Sequence, residues 1–310
     1  MGQAAEIGHS LAAVKLGESQ TCSNLTLFPL IGDGDSGPGY VLLDEALDRH
    51  LVRVTEVSAG GSVPELALKN DSEESVLLVD GDELIGVKQN RVLNLSILVA
   101  GGKRLTIPVS CVEQGRWAYR SREFQSAKRT LFAGARARKV QSVSHALRTH
   151  GGRQANQSQV WADVAAKADD LRVESDTLAM SDIYVDRASE LDTYVRAFSP
   201  LPAQRGAVVA IGGKVVGVEL FDSATAFSRY LEKLVRAYAL DAIERKADEP
   251  PTAPSERDAR AFLDLLWATH AERFKALGEG EDIRLTGQGI AGGALAAGGR
   301  LVHLAAFVVA

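Results

Sequence analysis

The chain has 310 residues, 45% of them hydrophobic, and can bury a sizeable core without disulfides or structural metals. Its two cysteines, Cys22 and Cys111, belong to no CxxC or Cys/His pattern, which argues against a disulfide framework or a cysteine-based zinc site. The N-terminus resembles no signal peptide, and no stretch reaches the roughly 18 apolar residues of a membrane span. We therefore expect a cytoplasmic protein that does not cross a membrane.

The first half of the chain is predicted to form mainly short strands. Residues 25–30 are apolar, and the turn-forming sequence IGDGDSGPG separates them from a second apolar stretch, 40–43. Residues 51–57 then alternate between apolar and polar side chains with a period of two. Short strands separated by glycines favour a sheet or sandwich over a repeating βα unit.

Three Gly-Gly pairs follow one local pattern. At 101–102, 212–213 and 298–299 an apolar run leads into the pair, and a basic residue begins the next apolar run. Such pairs favour two-residue hairpin turns, because both central residues of the turn take a positive φ. The sequence therefore predicts three tight antiparallel hairpins.

A turn at 101–102 would fix the register of the first hairpin. Opposite residues would then have numbers that sum to 203, which pairs Leu98 with Leu105 and Val92 with Cys111. The same register places Asn90 opposite Glu113, and Cys111 is predicted to be a buried, unreactive thiol.

Helical spacing dominates most of the remaining chain. Residues 160–168, 189–198 and 224–246 are predicted to form helices, and a further helix is predicted at 259–276. The proline-rich segment 247–254 is predicted to be a linker, because its prolines forbid both helix and central strand.

These patterns predict an α+β protein with mainly antiparallel sheet, sandwich-like or mixed, and helices mostly in the C-terminal half. They suggest a β-rich part at 1–120, a basic and partly helical segment at 121–206, and a hairpin-helix-hairpin part at 207–310. One compact domain over the whole chain is the alternative.

Positive charge is concentrated in one segment. Residues 116–153 contain ten Lys or Arg against one acid and carry +9, so the rest of the chain carries −14. This segment could attract an anion, or it could pair with the acidic stretch 163–192. Four aromatic side chains interleave with the cations, as in a single-stranded nucleic-acid groove: Trp117, Tyr119, Phe124 and Phe132. The acidic balance of the whole chain disfavours nucleic acid as a partner.

The stretch DGDELIGVKQNR, residues 80–91, places long polar side chains between the apolar runs 76–79 and 92–99. Its basic and amide groups suit phosphate oxygens and the edges of a base or ribose. The candidate ligand-binding residues are Asp82, Lys88, Gln89, Asn90, Arg91 and Arg116. The predicted partner is therefore a small, anionic, hydroxyl-rich molecule.

Carboxylates supply the candidate catalytic groups. Glu83 and Glu113 are the predicted general bases, and together with Asp82 they could bind a hard cation such as magnesium. The alternative is architectural: Asp82, Glu83 and Lys88 form the wet side of a hairpin, while Asn90 and Arg91 pair with Glu113. No phosphate loop, nucleophile elbow or metal-binding histidine spacing accompanies these residues.

Three segments resemble a known family. DGDELIGVKQNRVLN at 80–94, IPVSCVEQGRW at 107–117 and GGKVVGVELFD at 212–222 are similar to the family named for its association with ADP-ribosylglycohydrolases and with the rhodanese-phosphatase superfamily. The resemblance covers the chain from about residue 25 to the sequence VHLAAF at 302–307. It implies work near NAD-derived or ADP-ribosylated molecules, and it implies no particular fold or reaction.

Two hypotheses about function follow. The first is a protein that binds, and as an enzyme hydrolyses, an anionic nucleotide related to NAD or ADP-ribose. The second is a non-catalytic module that senses such a metabolite or binds a protein partner in the same context. The sequence contains no nucleophile, metal set or cofactor loop that decides between them, and it predicts no oligomeric state.

Overall fold

The computed structural model describes residues 4–34, 37–58, 60–118, 121–245 and 254–309. The predicted linker at 247–254 lies outside the described residues except for Pro254. Contacts divide the chain into two compact units. Unit 1 consists of Met1–Pro38, Ser189–Lys275 and Gly280–Ala310, and unit 2 consists of Gly39–Ala188 and Ala276–Glu279.

Helices and strands alternate irregularly along the chain. The helices are α1 (Ala5–Ala12), α2 (Leu43–Asp48), α3 (Ala133–His150), α4 (Gln157–Asp170), α5 (Met180–Asp186), α6 (Ala188–Ala197), α7 (Ala224–Arg245) and α8 (Glu256–Ala268). The strands are β1 (Val14–Leu16), β2 (Gln20–Cys22), β3 (Leu25–Gly32), β4 (Tyr40–Leu42), β5 (Val52–Glu56), β6 (Glu65–Asn70), β7 (Ser75–Leu78), β8 (Asp82–Gly86), β9 (Arg91–Leu93), β10 (Ile97–Val99), β11 (Arg104–Cys111), β12 (Phe124–Thr130), β13 (Gln204–Ile211), β14 (Lys214–Phe221), β15 (His270–Lys275), β16 (Glu281–Gly287), β17 (Ile290–Ala297) and β18 (Arg300–Val308). The predicted α+β class is confirmed.

Unit 1 is built on one antiparallel sheet. Its strand order is β1-β3-β13-β14-β18-β17-β16-β15, with β2 paired to β3. The hairpins predicted at 212–213 and 298–299 are confirmed, because Ile211 pairs with Lys214 and Ala297 pairs with Arg300. All four glycines have positive φ values between 56° and 80°, a conformation that glycine adopts without a Cβ penalty.

The helix predicted at 259–276 is wrong in its second half. Helix α8 ends at Ala268, and the next residues form strand β15, which pairs with β16 from His270 opposite Thr286 to Lys275 opposite Glu281. Thr269 has extended backbone angles and ends the helix. The strand partner β16 lies downstream in sequence, so local helical spacing gave no sign of it.

Unit 2 contains two further sheets. One has the order β12-β8-β9-β11-β6-β5 and is antiparallel throughout, and the other has the order β10-β7-β4. Strands β4 and β7 run parallel. Both sheets contribute to one apolar core, which includes Leu68, Leu78, Leu84, Ile97 and Ile107, each at most 1% exposed. Helix α4 also contacts strand β11.

The hairpin predicted at 101–102 is wrong. Strand β10 pairs with β7, placing Leu98 opposite Leu77, whereas β11 pairs with β6, placing Leu105 opposite Leu68. The cause is the buried Asn70, whose Nδ2 donates to the carbonyls of Glu74, Val99 and Ala100. These hydrogen bonds hold the chain around 100 against the 70–74 loop.

The register inferred from that hairpin is therefore shifted by one residue. Strands β9 and β11 do pair, but Cys111 lies opposite Arg91 and Val92 lies opposite Ser110. The predicted proximity of Asn90 and Glu113 is confirmed, because the backbone N–H of Asn90 donates to Glu113 Oε2 over 3.1 Å. Cys111 is buried, as predicted. Among the described residues, no helix is long and apolar enough to span a membrane.

Candidate functional site

All the predicted site residues lie in unit 2, and all of them are buried. Their side chains enter the interior around β8, β9 and the end of β11, and none is more than 7% exposed: Asp82, Glu83, Lys88, Gln89, Asn90, Arg91, Glu113 and Arg116. The alternative in which Asp82, Glu83 and Lys88 form the solvent-exposed face of a hairpin is therefore wrong. Buried charges require partners, so the hydrogen bonds of this cluster decide what it can do.

Glu113 is held by Arg116. Arg116 Nε donates to Glu113 Oε1 over 2.8 Å, and Nη2 donates to Oε2 over 2.6 Å, which makes a bidentate pair. Arg116 Nη2 also reaches Asn90 Oδ1 over 3.2 Å, and Nη1 donates to the Val87 carbonyl over 3.0 Å. The expected Arg91–Glu113 pairing is wrong, because Arg116 occupies both oxygens of this carboxylate.

Glu83 is buried, with 1% of its surface exposed. Asn90 Nδ2 donates to its Oε1 over 3.3 Å, whereas Oε2 has no hydrogen-bond partner in the described part of the chain. Burial raises the pKa of Glu83 to about 7, and the charges of Glu113 and Asp182 act in the same direction, against Arg129 and the Asn90 hydrogen bond. Near neutral pH this carboxyl can therefore give or take a proton.

Arg91 is fully buried and only partly bonded. Nη1 donates to Gln89 Oε1 over 2.9 Å, and Gln89 Nε2 in turn donates to the Glu113 carbonyl over 2.8 Å. Nε and Nη2 have no acceptor among the described residues. Burial lowers the pKa of Arg91, an effect opposed by nearby Cys111 and Glu56. One edge of this buried guanidinium thus has two donors that make no hydrogen bond to a described residue, next to the Cys111 thiol.

Trp117 stacks on two cations of the cluster, Lys88 and Arg91. Its ring centroid is 5.0 Å from Lys88 Nζ and 5.6 Å from Arg91 Cζ, within cation–π range. The indole is 48% exposed, while both cations below it are buried. Lys88 Nζ also donates to the Gly60 carbonyl over 2.5 Å. An exposed aromatic ring therefore separates two buried cations from solvent.

Sequence reasoning missed Glu56. Both of its carboxylate oxygens are buried, and neither has a hydrogen-bond partner in the described ranges. An acidic residue at the end of a strand that alternates apolar and polar side chains looks like an exposed one. The alternation of the strand could have predicted that Glu56 is buried, because it places Glu56 on the same face as Val52 and Val54, and that face packs into the core.

The basic segment 116–153 pairs mainly with acids upstream of it. Lys139 Nζ bonds Asp80 and also donates to the carbonyl of Leu93 over 3.0 Å, and Lys128 pairs with Asp48 at 2.9 Å. The expected pairing with 163–192 is represented by Arg138 Nε and Asp163 Oδ1, 2.7 Å apart. Tertiary contacts thus neutralise much of this charge inside unit 2.

The aromatic side chains of the basic segment do not form a common surface. Phe124 and Phe132 are buried at 2% and 1% exposure, Trp117 is exposed, and Tyr119 lies outside the described residues. Two of the four are therefore core residues, unavailable for stacking on a nucleic-acid base.

One cavity of unit 2 does not include the candidate site, and the described residues show no metal-binding group. An open cavity of about 460 Å³ on β5, β6 and β11 is lined by residues that include Arg53, Lys69 and Arg104, and none of the predicted site residues lines it. Within the described ranges, no group of three or more His, Cys, Asp or Glu is arranged to hold a metal ion.

These features define an α+β protein whose sheet-rich second unit encloses a charged cluster with free donors and acceptors. The chain belongs to the ARG and Rhodanese-Phosphatase-superfamily-associated Protein domain family (ARPP-1), whose model matches residues 13–307. A search of curated proteins found no match. A search of solved structures also found none.

Proposed function

We propose that unit 2 binds an anionic nucleotide related to NAD or ADP-ribose, with a phosphate on the free edge of Arg91. The observation that carries this proposal is the pair of buried donors, Nε and Nη2, without an acceptor among the described residues. A buried donor without a partner costs about 1–3 kcal/mol, and more when the group is charged. Two phosphate oxygens match this edge, since the Nε and Nη2 donors of arginine point side by side.

Lys88 and Trp117 suit the rest of such a ligand. Lys88 adds a second cation next to Arg91, and the Trp117 ring offers a face for a base once it moves aside from the two cations. Trp117 is half exposed, so moving it exposes less buried apolar surface to water than moving a core aromatic side chain would. The site would therefore open at Trp117.

The family description supports the ligand class. We interpret its word ARG as ADP-ribosylglycohydrolase, which associates the family with enzymes of ADP-ribose chemistry. A cytoplasmic location is part of the same proposal, because neither Cys22 nor Cys111 forms a disulfide.

Thermal unfolding with added nucleotide tests the proposal. A ligand at a hundred times its dissociation constant adds about 2.7 kcal/mol of stability. We expect NAD or ADP-ribose to raise the melting temperature of the wild type and not that of Arg91→Met. This substitution removes a poorly compensated buried charge, so the variant should fold. Arg122→Met is the matched control, since Arg122 is exposed.

Two results would contradict the proposal. One is the absence of a shift for the wild type with every nucleotide and with inorganic phosphate. The other is an equal shift for Arg91→Met, which would place the ligand elsewhere.

Hydrolysis is a second candidate function, and Glu83 is the observation that favours it. A buried carboxyl with a pKa of about 7 and a free Oε2 has the properties of a general acid or base. Glu113 fits this role less well, because Arg116 bonds both of its oxygens. Product formed from ADP-ribose or NAD by the wild type, and lost in Glu83→Gln, would establish catalysis. Binding without product would identify a sensing module.

A further inference from the structure

Glu56 is a second buried group whose polar atoms lack partners, and it lies beside the first. It is the last residue of β5, and its two carboxylate oxygens accept no hydrogen bond from any described residue. A carboxylate that is removed from water without donors is costly, so its position calls for a donor that the described chain does not supply.

Three observations place Glu56 near Lys88 and Arg91. A Cβ atom built on Gly61 would lie 3.3 Å from Glu56 Oε2 and equally 3.3 Å from Lys88 Cδ, so the carboxylate adjoins the Lys88 side chain. Trp117 stacks over both Lys88 and Arg91. The negative charge of Glu56 also raises the pKa of Arg91, against the larger effect of burial. The four side chains therefore border one polar region of unit 2.

The free groups in this region are complementary in kind. Arg91 presents two donors side by side, and Glu56 presents two acceptor oxygens. A phosphate satisfies the first pair, and two adjacent hydroxyl groups satisfy the second, since each hydroxyl can donate to one carboxylate oxygen. A sugar phosphate with a vicinal diol carries both groups on one small scaffold. Two cations against one carboxylate leave the region able to accept the phosphate charge.

We propose that Glu56 determines specificity by binding the 2,3-diol of a ribosyl phosphate whose phosphate lies on Arg91. This inference rests on the proposed function and narrows it: the site would select ribose over 2-deoxyribose and would reject a diol that carries a phosphate. Glu56 acts in recognition and takes no part in bond cleavage.

Ribose 5-phosphate and 2-deoxyribose 5-phosphate are the probes that isolate this step. They share the phosphate and differ by one hydroxyl, so calorimetric affinities compare the diol contact alone. For the wild type we expect ribose 5-phosphate to bind about 10- to 100-fold more tightly, as a hydrogen bond to a charged group requires. In Glu56→Ala the ratio should fall to about one, and 2-deoxyribose 5-phosphate should bind at least as tightly as before, because a negative charge is removed.

A matched control and a milder variant make the test independent of folding. Glu123→Ala removes an exposed carboxylate and should keep the wild-type ratio. If Glu56→Ala does not fold, Glu56→Gln replaces it, and its ratio should lie between those of the wild type and unity. A merely structural role of Glu56 would weaken both sugar phosphates equally in either variant and would overturn the inference.

The outcomes separate this inference from the proposed function. Equal affinity of the wild type for the two sugar phosphates overturns the role of Glu56 and leaves phosphate binding at Arg91 standing. A second result would also overturn the role of Glu56. If the wild type binds the two probes with similar affinity and Glu56→Ala binds both more tightly, Glu56 forms a direct ion pair with Arg91. Failure of the wild type to bind either probe, inorganic phosphate or any nucleotide overturns both proposals.

Discussion

Replacement of Glu83 by glutamine should change how the stability of unit 2 depends on pH. Burial raises the pKa of this carboxyl from 4.5 to about 7 in the folded chain. Between these two values the folded state holds a proton that the unfolded state has released. The contribution of Glu83 to stability is therefore fully present below about pH 4.5 and is lost as the pH rises through 7.

The size of the effect follows from the difference between the two pKa values. Each pKa unit corresponds to about 1.4 kcal/mol, so ionised Glu83 should cost the wild type about 3 kcal/mol by about pH 8. Glu83→Gln cannot ionise and resembles the protonated acid, and its amide oxygen can still accept from Asn90 Nδ2. The variant should thus gain about 3 kcal/mol relative to wild type between about pH 5 and about pH 8.

Urea unfolding followed by tryptophan fluorescence measures this difference. Trp117 and Trp161 belong to unit 2 and Trp267 belongs to unit 1, so a Trp267→Phe background restricts the signal to unit 2. Glu123→Gln is the control, because Glu123 is an exposed carboxylate just before strand β12. The stability of this variant should follow that of the wild type at both pH values. Parallel pH dependence of Glu83→Gln and wild type would refute the assignment of a raised pKa to Glu83.

Two further substitutions test packing and pairing. Arg116→Met should destabilise unit 2 by about 3–5 kcal/mol in urea unfolding, because it leaves Glu113 buried without its partner, and adding Glu113→Gln should recover most of the loss. An undiminished stability of the single variant would contradict a buried pair. Gly8→Ala should destabilise unit 1 by about 1–3 kcal/mol and shift the fluorescence emission of Trp267, because the new Cβ would lie 1.4 Å from the indole ring of Trp267. Gly39→Ala is the control and should have neither effect, because its Cβ would meet no atom within 4 Å. Unchanged emission in Gly8→Ala would contradict this packing.

Local sequence signals predicted the secondary structure well where the turn residues decided it. The pairs at 212–213 and 298–299 close hairpins because each joins strands that pair with one another. The pair at 101–102 has the same local pattern and closes none, because Asn70 binds the carbonyls before it. A local pattern cannot reveal the effect of a buried amide that lies thirty residues upstream.

The candidate site was likewise predicted only in part from local sequence. The density of polar residues in DGDELIGVKQNR identified side chains that the structure brings together in the interior of unit 2. The partners within that set were not predictable from the sequence, since a one-residue register shift puts Arg91 opposite Cys111 and leaves Arg116 to bind Glu113. Trp117 and Glu56 join the cluster from other segments of unit 2.

The sequence alone determined the α+β class, two of the hairpins, helices α4, α6 and α7, the first half of the predicted 259–276 helix, and the membership of one polar segment in a charged cluster. These features depend on neighbouring residues, through side-chain periodicity and the backbone preferences of glycine and proline. The tertiary structure alone decided the strand partners, the burial of every charge in the cluster and the two unpaired edges of Arg91 and Glu56. Those depend on contacts between distant segments, where burial sets the energy of each hydrogen bond and each pKa.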